Sequence, residues 1–531
     1  MKTEFYNTKM VTKKLILFML FIINISVFVL SPIYATIMLP NIRFSNLYQD
    51  GMVLQREPEK ASIWGYGIIP EGSKALIHCN ETNEGLTFME SNIFQTDDQL
   101  WKVDVGPIKG GSSCNISVAV DNINVRLNNV LFGDVWLCGG QSNMVLGMNS
   151  IYNASQEMEI AKSYRNIRFT RVNTGSNEIP DDNMDISLAH GWVQPSSKHL
   201  GTMGAVCFLY AKYIYDHIGI PLGLIDSSVN GTKIESWSPK NALDSCSIHM
   251  EQVNCEAPDY IDCNSRLYNK MINPLKRNSI KGFLWYQGES NIKWNTNRYN
   301  CSFPATIDAW RSDFASNSFT DKSAPFGFVQ LSTIKYGDAG IETSIIRWHQ
   351  TADYAIVPNK ILKNVFMAVA IDTYDEPHGI HPHYKQIVGK RLSVAGMNVA
   401  YGNSSFPSNG PHVTDLVVAE GPKVVLKYNQ KITYNQTEIS GFYYCCMDYF
   451  SMCDLSITKW VELPKKRVTL DSTKKGGDVM NIDVASLPEC HRIPHISYLW
   501  RETPIKGYLS APIYGLDNFK LPSAPWKAVV M

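Results

Sequence analysis

Phe132-Gly133-Asp134-Val135-Trp136-Leu137-Cys138-Gly139-Gly140-Gln141-Ser142-Asn143-Met144 is the stretch on which the reading of this chain turns. An apolar, β-type segment runs into two glycines and then a serine, which is how a strand presents a side chain at a tight strand-to-helix turn. Such a turn exposes the Ser142 hydroxyl. Met144 stands where the last glycine of a G-x-S-x-G elbow belongs, so the α/β-hydrolase elbow is excluded. The competing reading of Ser142 is a helix N-cap, a position that favours serine.

Outward from this stretch the grammar is that of alternating strands and helices. Strands are predicted over Phe132 to Cys138, Pro221 to Ser227, Ile280 to Tyr286, Phe326 to Leu331 and Asn364 to Ile371. Helical spacing of apolar residues predicts helices over Met203 to His217, Arg266 to Lys276 and Tyr384 to Met397. Alternating β and α implies a doubly wound parallel sheet covered by helices on both faces. Before it, the short alternating segments Ala61 to Gly65, Lys74 to His78, Leu100 to Val105 and Ile116 to Val120 predict a small antiparallel β domain. After about Gly410 the helical period is lost, and segments such as Lys423 to Tyr428 and Arg467 to Leu470 predict a second β domain. The expected divisions are a signal peptide at 1–35, an N-terminal β domain at 36–129, a catalytic α/β domain at 130–405 and a C-terminal β domain at 406–531.

The signal peptide is read from Lys13 and Lys14, the apolar run Leu15 to Leu30, and the small-residue exit Ser31-Pro32 to Ala35. A membrane anchor is the alternative, but the run is shorter than the ~20 residues that span a bilayer. Export agrees with 12 cysteines and with sequons at Asn80, Asn115, Asn153, Asn300, Asn403 and Asn435. No Cys-x-x-Cys pair suggests zinc, and Cys138 is expected to be a buried thiol. Forty-nine basic against 49 acidic residues leave no net charge to recruit nucleic acid.

In an open parallel sheet, ligands collect beyond the carboxyl ends of the strands. Ser142 follows the first. Asn230-Gly231-Thr232-Lys233-Ile234-Glu235-Ser236-Trp237 follows the second, Trp285-Tyr286-Gln287-Gly288-Glu289-Ser290-Asn291 the third, and Asp372-Thr373-Tyr374-Asp375-Glu376-Pro377-His378-Gly379-Ile380-His381-Pro382 the last. A serine nucleophile needs a base, and imidazole suits neutral pH.

These four blocks, in order, resemble the sialate O-acetylesterase family, a branch of the SGNH (GDSL-like) hydrolases. The resemblance implies a serine esterase that removes O-acetyl groups from sialic acids, with Ser142 as nucleophile and His381 as base. It further implies that the Gly231 N–H and the Gln287 side-chain amide form the oxyanion hole. It implies no cofactor or metal. Across the superfamily the acid lies three residues before the base, and here that position is His378. Asp375, six residues before His381, is the expected orienting carboxylate; Asp372 is the alternative, but it ends the strand, where a carboxylate can be structural, and His378 is an alternative base. Trp237 and Trp294 are expected to stack on a sugar, and Lys293, Lys233 or Arg298 to meet a sialate carboxylate. Asn230 is expected to stay unglycosylated beside the site. The expected partner is an O-acetylated sialoglycan, and the expected location is secreted or lysosomal. Open alternatives are an esterase for another acetylated glycan such as xylan, and a glycan-binding protein with a disabled triad.

Overall fold

The computed structural model describes residues 42–81, 85–96, 99–180, 185–248, 255, 260–333, 341–419, 421–435, 439–446, 460–471, 477–488, 490 and 495–528. The expected signal peptide lies outside the described residues.

The decisive stretch is the end of an 18-residue strand, Ile123–Gly140, that belongs to two environments. Its first part alternates in burial and pairs antiparallel with Ser113–Val120, as a half-solvated sheet requires. From Val130 onward every residue is buried. There the strand runs parallel between Leu222–Ser228 and Gly282–Tyr286, covered on both faces. The full order of the α/β sheet is Leu188–Val193, Ile167–Val172, Leu222–Ser228, Ile123–Gly140, Gly282–Tyr286, Phe326–Gln330, Val365–Val369. Only the Leu188–Val193 edge strand is antiparallel.

Side chains alternate across this sheet, so Trp136 and Gly139 look to opposite faces. Trp136 packs edge-on against Tyr210 of the Ala205–Ile218 helix, centroids 5.0 Å apart. The Lys385–Val399 helix lies on that helix, where a Cβ on Gly389 would sit 2.7 Å from Leu209 Cβ. On the other face Trp285 meets Trp310 of the Tyr299–Asn317 helix at 5.6 Å. This helix has no counterpart among the predicted elements, since Pro304 inside it reads as a breaker. The predicted helix over Arg266 to Lys276 is instead a π turn, Tyr268–Ile272, followed by a 3-10 turn, Asn273–Leu275. Pro274 lacks the N–H that an α-helix needs there.

Cys138 is not a free thiol. It is disulfide-bonded to Cys207, tying the central strand to the Ala205–Ile218 helix with Cα atoms 6.0 Å apart. No described cysteine is free. The linear sequence hides this pairing because the two residues meet only when the helix folds back over the strand.

The antiparallel strands of the N-terminal part, Arg43–Phe44, Ala61–Tyr66, Lys74–Glu81, Gly85–Gln95, Leu100–Val105 and Ser113–Val120, continue the same sheet. The C-terminal part builds a five-stranded and a four-stranded sheet. It also reaches the α/β sheet. Tyr514 Oη donates to Asp372 Oδ2 at 2.6 Å, the Leu509 N–H donates to the Asp372 carbonyl at 2.8 Å, and Tyr508 stacks on Tyr384 at 3.8 Å.

Candidate active site

Register brings the functional blocks level. Gly140 pairs with Ser228 on one side and with Tyr286 on the other, so the three strands end in one row. Gly140 has φ +134°, and a Cβ there would lie 2.2 Å from the Tyr286 carbonyl oxygen. Only glycine fits. The chain then turns, and Ser142 opens a single helical turn, Ser142–Val145, with Gln141 in the capping position.

Ser142 Oγ lies 2.8 Å from His381 Nε2. His381 is half-buried, and its backbone N–H donates to the His378 carbonyl at 3.0 Å. Burial pushes its pKa below the ordinary histidine value, and the nearby Lys385 ammonium pushes the same way. The imidazole is therefore neutral at pH 7 and free to accept the serine proton. The acid limb of kcat/KM reports loss of that neutral base, so its midpoint is expected below the ordinary ~6.5 of histidine. A pH profile with a midpoint above that value would exclude His381 as the group titrating.

Among the described residues, Asp375 makes no hydrogen bond or ion pair with His381. Its carboxylate accepts from Tyr152 Oη at 2.8 Å and from the His383 N–H at 2.8 Å, and pairs with His378 Nδ1 at 2.9 Å. The Asp375–x–x–His378 spacing is thus real, but it serves the other histidine. Asp372 is fully buried in a two-point pair with Arg391, at 2.5 and 2.8 Å. Among the described residues no carboxylate forms an ion pair with His381.

Behind the pair sits a buried polar cluster that the sequence reading missed. Asn143, next to the serine, donates to Glu289 Oε1 at 2.5 Å and to the Ile380 carbonyl at 3.0 Å, and its Oδ1 accepts from Lys385 Nζ at 2.5 Å. One side chain thereby joins the serine turn, the third block and the residue preceding His381. Burial pushes the Lys385 ammonium down to about 7 against the pull of Glu289 and Asp375. Burial pushes the Glu289 carboxyl up, while the Asn143 bond and Lys385 pull it down.

Ser142 and His381 open on a cleft of about 760 Å³ walled by Val145, Leu146, Gly147, Asn230, Gly231, Glu289, Ser290, Ile380 and His383. Gly231, at φ +70°, faces open space. Neither its N–H nor that of Ser142 donates to any acceptor among the described residues. Gln287 is not in the cleft. Fully buried, its amide donates to the Thr232 carbonyl at 3.2 Å and to Asn291 Oδ1 at 2.7 Å, and its Oε1 accepts from Tyr299 Oη at 3.0 Å. Its place is to brace the Gly231-Thr232 turn.

Trp237 is likewise buried, its Nε1 donating to Thr232 Oγ1 at 2.9 Å and its ring edge against Trp285. It cannot stack on a ligand. Trp294 does not line the cleft either; it lies under Lys233 Nζ at 5.1 Å, and Lys233 is ion-paired to Asp262 at 2.7 Å. For Trp237, the apolar bulk that makes tryptophan a candidate platform also drives it into the core.

With this geometry the relatives can be compared. Residues 132–395 match the family described as carbohydrate esterase, sialic acid-specific acetylesterase, and residues 415–530 match the sialate O-acetylesterase C-terminal domain. Sialate O-acetylesterase of Homo sapiens is 34% identical over 509 residues, covering 92% of this chain and 92% of the relative. The chain belongs to the sialate O-acetylesterase family. The Rattus norvegicus sialate O-acetylesterase is 32% identical over 537 residues, covering 92% and 94% of the two chains. Among solved structures, a carbohydrate acetylesterase from Xanthomonas citri aligns at a TM-score of 0.72 and 24% identity, over 92% of this chain and all of that one, which establishes the shared fold.

Proposed function

We propose that this protein hydrolyses O-acetyl esters of sialic acids with Ser142 as nucleophile and His381 as general base. The observation that carries this reading is the 2.8 Å contact between Ser142 Oγ and His381 Nε2 at the floor of the open cleft. Ser142 Oγ attacks the acetyl carbonyl as its proton passes to Nε2. The tetrahedral oxyanion is met by the backbone N–H groups of Ser142 and Gly231, and donors of this kind contribute ~3 kcal/mol each. The imidazolium then gives its proton to the departing sugar hydroxyl. Water, deprotonated by His381, releases acetate from the acetyl-enzyme and restores the serine. With no carboxylate paired to His381 among the described residues, the Asn143 and His378 carbonyl contacts hold the histidine loop in place.

Specificity supplies the test. Acetyl is small, and each methylene that a tight acyl site must reject is worth ~1–3 kcal/mol. An O-acetylated sialic acid is therefore expected to be turned over faster than p-nitrophenyl butyrate, and neutral acetylated xylan to be a poor substrate. Equal or higher kcat/KM on acetylated xylan would replace this reading by a general carbohydrate acetylesterase.

A secretory location is part of the proposal, supported by the disulfides Cys79–Cys114, Cys138–Cys207, Cys246–Cys301, Cys255–Cys263 and Cys446–Cys490. In that compartment the sequons differ. Asn80 and Asn115 are exposed on one sheet face, where Asn80 pairs with Leu86 and Asn115 with His78, whose ring meets Phe88. Leu86 and Phe88 are 72% and 69% exposed, apolar surface that a glycan covers. Asn300 is different, since its Nδ2 donates to Asp353 at 2.9 Å. Peptide mapping of protein secreted from animal cells is expected to find glycans at Asn80 and Asn115 and none at Asn300 or at Asn230 on the cleft wall. A glycan at Asn230 would contradict the cleft assignment.

A further inference from the structure

A sialic acid differs from a neutral sugar by its carboxylate, and the cleft offers few groups to meet it. The cations expected from the sequence are elsewhere: Lys233 is paired to Asp262, and Lys293 and Arg298 do not line the cleft. The ionisable side chains on its wall are Glu289, His381 and His383. Glu289 repels an anion when ionised, and His381 is bound to Ser142. His383 remains.

This imidazole is held with unusual care for a surface residue. Its ring stacks on His378 with centroids 3.5 Å apart and planes within 20°. His378 is fixed in turn by Asp375, which also accepts the His383 backbone N–H. The Tyr152 ring closes the side at 5.9 Å, and the His383 carbonyl accepts the Lys385 N–H at 2.8 Å. Backbone and ring plane are thus set, while neither ring nitrogen bonds to any described group. The Asp375–His378 pair therefore has a use, although not the one its spacing suggested.

We propose that His383 binds the carboxylate of the sialic acid, so that the Asp375–His378–His383 stack makes the enzyme select acidic over neutral acetylated sugars. This rests on the esterase reading above. The charged and titratable groups around His383 are His378, Asp375, Tyr152, Lys385 and His381. Burial, then His378, Lys385 and His381, favour its neutral form; Asp375 opposes them. A bound carboxylate raises the pKa again, so the anion is held more tightly as pH falls and His383 gains its proton. Loss of the His381 base at low pH slows every acetyl ester alike, and a ratio of two substrates cancels it.

The experiment compares kcat/KM for an O-acetylated sialic acid with that for its C1 carboxamide, between about pH 5.5 and about pH 8, in wild type, His383→Gln and His383→Arg. Because each ratio is taken on one preparation, partial unfolding of a variant does not alter it. Wild type is expected to prefer the acid by about tenfold at the low end, as a charge-assisted bond provides, with the preference shrinking as pH rises. His383→Gln is expected to bring the ratio near unity at every pH, and His383→Arg to keep the preference without its pH dependence. A wild-type ratio and slope retained in His383→Gln would overturn the proposal alone. Failure of the wild type on both sialic acid substrates, with acetylated xylan cleaved, would overturn it together with the esterase specificity on which it rests.

Discussion

Ser142→Ala is expected to lower kcat by ~10⁴-fold or more, with the protein still folded and the residual rate coming from the backbone donors and binding. The residue sits on a turn whose glycine cannot be replaced, and among the described residues its hydroxyl bonds to His381 alone, at the cleft. Removing one oxygen there leaves no buried partner unpaired, so the loss is chemical rather than structural. The same geometry predicts that an organophosphate labels Ser142 and no other serine. Ser290, also on the cleft wall, is the useful comparison. Retained p-nitrophenyl acetate hydrolysis in purified Ser142→Ala, or labelling at Ser290 in its place, would remove the nucleophile assignment.

The second large effect is on stability. Asp372→Asn is expected to cost about 3–5 kcal/mol, because it strands the buried Arg391 guanidinium that Asp372 holds at two points. Tyr514 Oη also donates to this carboxylate, so the substitution loosens the C-terminal part of the chain against the histidine loop. Urea denaturation of Asp372→Asn measures it, and a change below about 1 kcal/mol would mean that the pair is not formed in solution. Asp375→Asn offers the contrast. Since Asp375 touches His378, His383 and Tyr152 rather than His381, its loss is expected to lower kcat on a neutral acetyl ester by less than about tenfold, far below the ~10⁴-fold of a triad aspartate. A loss of that larger size would return the orienting role to Asp375.

By itself the sequence determined the α/β architecture with β parts before and after it, and it singled out the serine turn and the histidine loop that the fold brings together. The physical reason is locality. A strand buried on both faces is largely apolar, a turn without room for Cβ must be glycine, and in an open parallel sheet the groups that meet a ligand follow the strand ends. The pairings were decided by tertiary structure. Whether Asp375 faces His378 or His381, whether Gln287 points into the cleft or into the Thr232 turn, and whether Trp237 is platform or core depend on side-chain directions set by packing between distant segments. Cys138 shows it most plainly: residues 138 and 207 are bonded because a helix folds back over the central strand. Spacing in the chain measures distance along the backbone, and hydrogen bonds and disulfides are made across it.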